Sequence, residues 1–325
     1  MKARFIASLL SFCLFGLLNA EEFPHWNIEN ADLGWNEEFI VLKYTHHSEL
    51  QRQWAWHLLG NYRFKGDEHV LDFGCGDGKI TAEVSHFVAQ GKVTGVDLSP
   101  TMINFASRSF PTAYFPNLSF RRTLDIDYSD ASNGERYDLI YSFCVFHLVA
   151  NPIQVLTQLQ NRMTRNGLLY LVVPCGGNPS IFIAADEMFE KYGLTAPWAR
   201  ANDGSSGITM RSMEGCAVCL LEAGFEPLSI VHNKTPTVFF NRKELIDWFV
   251  GTTTANWNVP VAISESFFSD LVDKMAEIDT DLVDPTGCYH LKLNRFEVIA
   301  KPHPDDSQPC CGACHSSGST VDCIN

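Results

Sequence analysis

The stretch Val70-Leu-Asp-Phe-Gly-Cys-Gly-Asp-Gly-Lys79 concentrates groups that could hold a small charged ligand. An apolar run feeds directly into glycines at 74, 76 and 78. These free the backbone to turn tightly and to approach a ligand closely. The spacing is G-x-G-x-G, and Lys79 stands where a dinucleotide fingerprint would need its third glycine. Asp72 and Asp77 put negative charge beside the loop, which disfavours a pyrophosphate and favours a cationic group. The next apolar run ends in Asp97, where a carboxylate could accept both hydroxyls of a ribose. Together these residues describe a cradle for a nucleoside that lacks a phosphate and carries a positive centre.

Such a cradle needs a strand to deliver it and a helix to leave it, and the surrounding chain has that alternation. Residues 35–62 read as helical and aromatic-rich, with Gly60 and Asn61 as stop signals. Strands are expected at Glu68–Phe73, Lys92–Asp97, Leu118–Leu124, Tyr137–Phe143 and Gly167–Val173. Helices are expected between them at Lys79–Ala89, Pro100–Phe110 and Asn151–Met163. Strands separated by single helices imply parallel βαβ units with helices on both faces. Beyond Pro174 the order changes. Helices at Ile181–Tyr192, Met210–Ala223, Arg242–Val250 and Ser264–Glu277 accompany two late strands, Glu226–Phe240 and Tyr289–Lys301.

With the loop and the alternation in hand, VLDFGCGDGK followed by GVDLSPTMINFA resembles the class I S-adenosylmethionine-dependent methyltransferases over about residues 40–175. The resemblance implies an α/β, Rossmann-like fold: a seven-stranded, mostly parallel sheet with helices on both faces and a helical cap. It further implies that Gly74 and Gly76 line the methionine part of S-adenosyl-L-methionine, with Asp72 near its amino group. Asp97 would hold the ribose, and Leu98 and Met102 would lie beside the adenine. Asp125, after the third strand, matches the family acid near the adenine amine, and Ile126 would offer its backbone N–H. Tyr44-Thr-His-His-Ser-Glu-Leu-Gln51 resembles the N-terminal helix that folds over the cofactor in the carboxylate-methylating branch, which adds Tyr44 and Gln51 to the candidate set.

Tyr137-Asp-Leu-Ile-Tyr-Ser-Phe-Cys-Val-Phe-His147 is similar to the fourth-strand motif of the trans-aconitate, juvenile-hormone-acid and malonyl-carrier-protein methyltransferases. Those end in His-Trp or Gln-Trp, whereas this chain has His147-Leu148, and the departure leaves the acceptor open. The resemblance implies methylation of a small-molecule acceptor, on the oxygen of a carboxylic acid. A protein or carrier-protein acceptor and a catalytically silent cofactor-binding module are the alternatives. A carboxylate needs no general base, whereas a hydroxyl or amine would make His147 the candidate base or orienter. A structural hydrogen-bonding role for His147 stands beside that reading. Trp198, Arg200, Met210 and Arg211 fall in the segment after the fifth strand. Either arginine could clamp a carboxylate, though a solvated surface arginine is the commoner case.

Composition narrows the partners. The chain has 325 residues with 24 Lys plus Arg against 38 Asp plus Glu, a net charge of −14, which disfavours a phosphate backbone as a ligand. No nucleic-acid partner is therefore expected, and no metal is assigned. Residues 1–20 combine Lys2 and Arg4 with an apolar run from Phe5 to Leu18 and Ala20, the layout of a secretory signal peptide. That run is too short for a membrane span, so the expected location is exported, or cytoplasmic if the signal does not function. The methyltransferase domain is expected over 21–301, with a cap insertion at about 176–215. A tail over 302–325 carries four of the 11 cysteines, including Cys311-Gly-Ala-Cys314-His315. Cys216 and Cys219 share C-x-x-C spacing but lie in a helical run, where core packing is expected.

Overall fold

A computed structural model describes residues 35–122, 135–197 and 210–303. The signal-like segment, Asp125, Ile126, Trp198, Arg200 and the cysteine-rich tail lie outside these described residues. The described residues open with two helices in tandem, α1 (Glu38–His47) and α2 (Glu49–Leu59). The alternating unit follows: β1 (His69–Phe73), α3 (Lys79–Phe87), β2 (Lys92–Asp97), α4 (Pro100–Ser109), β3 (Leu118–Arg122), β4 (Tyr137–Phe143), α5 (Pro152–Gln160) and β5 (Met163–Gly177). The remainder comprises α6 (Pro179–Lys191), α7 (Met213–Glu222), β6 (Phe225–Asn233), β7 (Pro236–Phe239), α8 (Arg242–Thr253), α9 (Val261–Ile278) and β8 (Tyr289–Pro302).

The main sheet has the order β3-β2-β1-β4-β5-β8-β6, with the short β7 paired to the far end of β8. The first five strands are parallel, and β8 runs antiparallel between β5 and β6. The sheet is thus the seven-stranded, mostly parallel one expected, extended by β7. The strand expected over Glu226–Phe240 is instead two strands, β6 and β7. Asn233 closes its side chain onto the backbone N–H of Thr235 at 3.1 Å, and Pro236 then starts the new strand. An Asx turn followed by proline interrupts a ladder.

Both faces of β1 and β4 are covered, as runs of Val, Leu, Ile and Tyr require. Helices α2 and α3 pack Trp54, Ala55, Leu58, Ala82 and Val84 on one face. Helices α5 and α7 pack Val155, Leu156, Leu159, Cys216 and Cys219 on the other. The C-x-x-C cysteines are fully buried core residues of α7, as their helical spacing suggested. Side chains set the helix starts. Ser99 accepts from the Met102 N–H ahead of Pro100, Asn151 accepts from Gln154 ahead of Pro152, and Asn241 accepts from Glu244.

A separate apolar cluster stands beyond the end of β5. It joins α6 (Ile181, Met188, Phe189), α8 (Leu245, Phe249) and α9 (Phe267, Phe268, Leu271) to Leu291 of β8. Phe249 and Phe268 stack with ring centroids 5.7 Å apart. Helix α6, from the segment read as a cap insertion, is therefore buried by helices that come much later in the chain. Among the described residues no helix is long and apolar enough to cross a membrane.

Helix α1 ties this helical unit to the sheet. Gly251 of α8 approaches α1 so closely that a Cβ there would stand 2.9 Å from the Lys43 carbonyl carbon and 3.0 Å from the Tyr44 nitrogen. Around that contact Lys43 pairs with Asp247 at 3.4 Å and with Glu265 at 3.0 Å.

Candidate active site

The glycine loop turns out of β1 at the carboxyl edge of the sheet, where open α/β folds bind their ligands. Gly74, Gly76 and Gly78 all have positive φ, 83°, 52° and 77°. At Gly74 the need for glycine is also steric: a Cβ would lie 2.2 Å from a Val145 methyl. Two amides of the loop, Gly74 and Cys75, bond the Val96 carbonyl at 2.7 and 2.9 Å, so the loop rests on β2.

Asp97, at the end of β2, closes the loop from the side. Its carboxylate accepts from the Gly76 N–H at 2.9 Å and from the Ser99 N–H at 2.9 Å. One bond to each oxygen leaves lone pairs on both for further donors. Burial pushes the Asp97 pKa upward, while donation from Ser99, Gly76 and Leu98 holds it down. Beneath the loop, Asp72 is buried and accepts from the Thr81 hydroxyl at 2.7 Å. Desolvation pushes its pKa up to about 7 against that hydrogen bond, so its charge is poised near neutrality.

The segment from Trp35 to Gln51 crosses over the loop as a strap. At one end the Ser99 hydroxyl lies 2.8 Å from the Trp35 carbonyl, and the Thr101 hydroxyl donates to the Asn36 carbonyl at 2.9 Å. At the other end the Ser48 hydroxyl donates to Asp77 at 3.1 Å. Lys79 there donates to the Thr45 carbonyl and pairs with Asp77 at 3.2 Å. Between these anchors Tyr44 sits over Gly76, its ring 3.4 Å from where a Cβ would stand, with Trp35 edge-on at 5.5 Å. Asp77, read as charge for a cationic ligand, is instead spent on Lys79 and Ser48. The local lysine, which sequence spacing could not orient, competes for it.

The cleft beneath the strap is lined by Tyr44, Ser48, Gln51, Asp72, Gly74, Lys79 and Phe143, among others. Gln51 is buried and its Oε1 has no hydrogen-bond partner among the described residues. Five of the nominated cofactor residues, Tyr44, Gln51, Asp72, Gly74 and Gly76, are therefore brought together, with Asp97 clasping Gly76. Leu98 is half-buried next to Asp97, and Met102 is buried in the first turn of α4. Ser48, Lys79 and Phe143 were missed; the first two act through contacts between segments that no motif announces.

His147 lies in the turn just past β4, and its Nδ1 is buried without a partner among the described residues. Burial, reinforced by the Arg211 charge, lowers its pKa to about 4, so the imidazole is neutral at ordinary pH. Arg211 donates to the His147 carbonyl at 3.4 Å and so joins this turn.

The residues present fit a nucleoside sulfonium. Glycine at three turn positions, a ribose-competent carboxylate, an orphaned amide oxygen and the buried Asp72 suit it, and the two basic residues of the lining, Arg52 and Lys79, are already paired with Glu83 and Asp77. Residues 71–169 match a family described as a methyltransferase domain. The chain carries a class I S-adenosylmethionine-dependent methyltransferase domain, and S-adenosyl-L-methionine is the cofactor of that class. Within the class the similarity points to particular relatives. A malonyl-[acyl-carrier protein] O-methyltransferase of Halalkalibacterium halodurans is 30% identical over 31% of this chain and 36% of its own length. A trans-aconitate 2-methyltransferase of Escherichia coli strain 55989 is 22% identical over 79% of this chain and 96% of its own. A candidate methyltransferase of Invertebrate iridescent virus 6 is 28% identical over 42% of this chain. Its match and the Halalkalibacterium one span about half of those relatives' length or less. A solved Bacillus halodurans C-125 protein, described as a candidate methyltransferase, shares the fold with a TM-score of 0.51 and 17% identity, over 76% of this chain and 98% of its own.

Proposed function

We propose that the protein transfers the methyl group of S-adenosyl-L-methionine to a carboxylate oxygen of a small organic acid. The observation that carries the cofactor half is the Gly76–Asp97 clasp under the Tyr44 strap. The acceptor half draws support from the trans-aconitate and malonyl-[acyl-carrier protein] methyltransferases among the relatives.

The bound cofactor supplies an electrophilic methyl on a sulfonium. Transfer would exchange its C–S bond for a C–O bond to the acceptor, the sulfur keeping the electron pair as a neutral thioether. The protein's task is alignment and exclusion of water, which accounts for much of the barrier in such a displacement. Gly74 and Gly76 let the backbone approach, Asp97 fixes the ribose, and the strap covers the reactants. An ionised carboxylate gives up no proton, so His147 is an orienting group of the pocket wall rather than a base.

The test is transfer of radiolabelled methyl to a panel of small acids, scored for alkali lability, since methyl esters release methanol in base. An alkali-stable product would sink the reading. In parallel, His147→Gln should lower kcat less than ~10-fold, whereas loss of a general base costs roughly 10²–10⁴-fold.

A further inference from the structure

Arg295 of β8 sits opposite Pro174 of β5 and Asn233 of β6, at the carboxyl edge of the parallel strands. It is 3% exposed. An arginine cannot shed its charge in a protein, and a buried one is expected to have its donors matched.

Two of the three nitrogens of this guanidinium are accounted for. Nε donates to Glu297 Oε1 at 2.8 Å and Nη2 to the same oxygen at 2.7 Å. Its face lies 4.8 Å over the ring of Trp54 on α2. Glu297 is in turn filled by His57 at 3.1 Å and Asn233 at 3.4 Å. Nη1 alone is buried with no partner among the described residues.

The topology gives that free end a direction. Nε and Nη2 share one edge of the fork, so Nη1 faces away from Glu297. Glu297 lies two residues further along β8, which runs antiparallel and therefore deeper into the sheet. The opposite end looks toward the edge where β4 and β5 finish. Two cysteines at that edge register the charge: Arg295 lowers the pKa of Cys144, just after β4, against the larger effect of burial. Cys175, near the end of β5, feels Lys234 as well as Arg295 in the same sense, again against burial. Trp54, which covers the guanidinium, is one helical turn from Gln51 in the cofactor cleft.

We infer that Arg295 is the anion anchor of the acceptor site, with Nη1 donating to one carboxylate oxygen while the other faces the methyl donor. This rests on the carboxylate reading above and names the residue that would select for it. Glu297 and Trp54 are positioning residues: they hold the fork so that only Nη1 is left. Their cost is a buried, half-satisfied cation, which an acidic ligand would complete. The sequence directed attention to Arg200 and Arg211 instead, because they follow the fifth strand directly; Arg295 reaches the edge only through the antiparallel β8.

The experiment uses the full chain, S-adenosyl-L-homocysteine for the cofactor site, and trans-aconitate with its neutral trimethyl ester as acceptor-site probes. Arg295→Lys keeps a cation for Glu297 and loses the free Nη1. In this variant S-adenosyl-L-homocysteine should bind within twofold of the parent. Trans-aconitate should bind the loaded protein roughly 10- to 100-fold more weakly, KM should rise with kcat largely kept, and the ester should bind neither protein. If Arg295→Lys does not fold, the paired change Arg295→Gln with Glu297→Gln removes both charges together and should show the same loss. Equal affinity for the acid in parent and variant, equal binding of acid and ester, or no binding of the acid to the loaded parent would each overturn the assignment. Alkali-labile methyl transfer that persists unchanged in the variant would remove Arg295 while leaving carboxylate methylation in place. An alkali-stable product would remove both.

Discussion

The two halves of the sheet hold their charged groups at the carboxyl edge in different ways. On the β1–β2 side, Asp72, the three glycines and Asp97 come from one strand–loop–helix–strand run. Their mutual geometry is fixed by the Gly76–Asp97 bond at 2.9 Å and by the loop amides on Val96. On the β5–β8 side, Arg295 is held by Glu297 from its own strand, capped by Trp54 from α2 and flanked by Asn233 from β6. The first arrangement is local and tolerates little change of sequence. The second is assembled across more than two hundred residues of chain and depends on packing to persist. A shared cofactor and a variable acceptor would impose this difference, since only one of the two ligands is the same throughout the class.

The largest single vulnerability of the local half is Asp97. Asp97→Ala removes the clasp on Gly76 and, on the proposed reading, the acceptor for the ribose, two charge-assisted bonds worth about 1.5–3 kcal/mol each. Affinity for S-adenosyl-L-homocysteine, read by calorimetry, should fall at least ~100-fold with the fold retained. Binding reduced by only a few-fold would mean that the strap, not the clasp, holds the cofactor.

The strap itself can be loosened from the other half. Gly251→Ala on α8 sets a Cβ against the backbone of Lys43 and Tyr44, contacts that backbone can relieve only by shifting α1. Thermal unfolding should show a loss of about 1–3 kcal/mol, the range of overpacking, and cofactor affinity should fall with it as Tyr44 moves off Gly76. A loss of stability with unchanged affinity would make the two halves more independent than the α1–α8 contact implies.

A smaller effect distinguishes the floor of the cradle. Folded Asp72 keeps its proton to about pH 7, whereas an unfolded aspartate loses it near pH 4. The folded state therefore binds more protons through that window, and the Asp72 contribution to stability falls as pH rises across it. His147, held neutral down to about pH 4 by burial, acts in the opposite sense: its contribution is lost as pH falls from ~6.5 toward 4. Denaturant unfolding of Asp72→Asn beside the parent isolates the first effect. Relative to the parent, the variant should gain on the order of 1 kcal/mol per pH unit at most between pH 5 and 7. Parallel curves would show that Asp72 is ionised throughout.

Much of the fold was legible in the chain because its signals are local. Periodic apolar runs, the Ser99-Pro100 and Asn151-Pro152 caps and the glycine loop each state a conformation within a few residues. The break between β6 and β7 was not legible, since strand-forming residues flank a single Asx turn whose closure depends on the Asn233 side chain. In the site, Tyr44, Gln51, Asp72, Gly74 and Gly76 belong to legible motifs and converge. The roles of Ser48 and Lys79 were not legible, because they exist only once the strap lies across the loop.

The sequence by itself determined the cradle: glycine at positive φ and an acid at the end of the next strand are demands of backbone geometry, which is written locally. Only the tertiary structure decided which charges remain available. It spent Asp77 on Lys79, placed Tyr44 over Gly76 through α8, and left one nitrogen of Arg295 unmatched at the sheet edge. Burial and long-range pairing set a group's electrostatics, and neither is a property of the residue's neighbours in the chain.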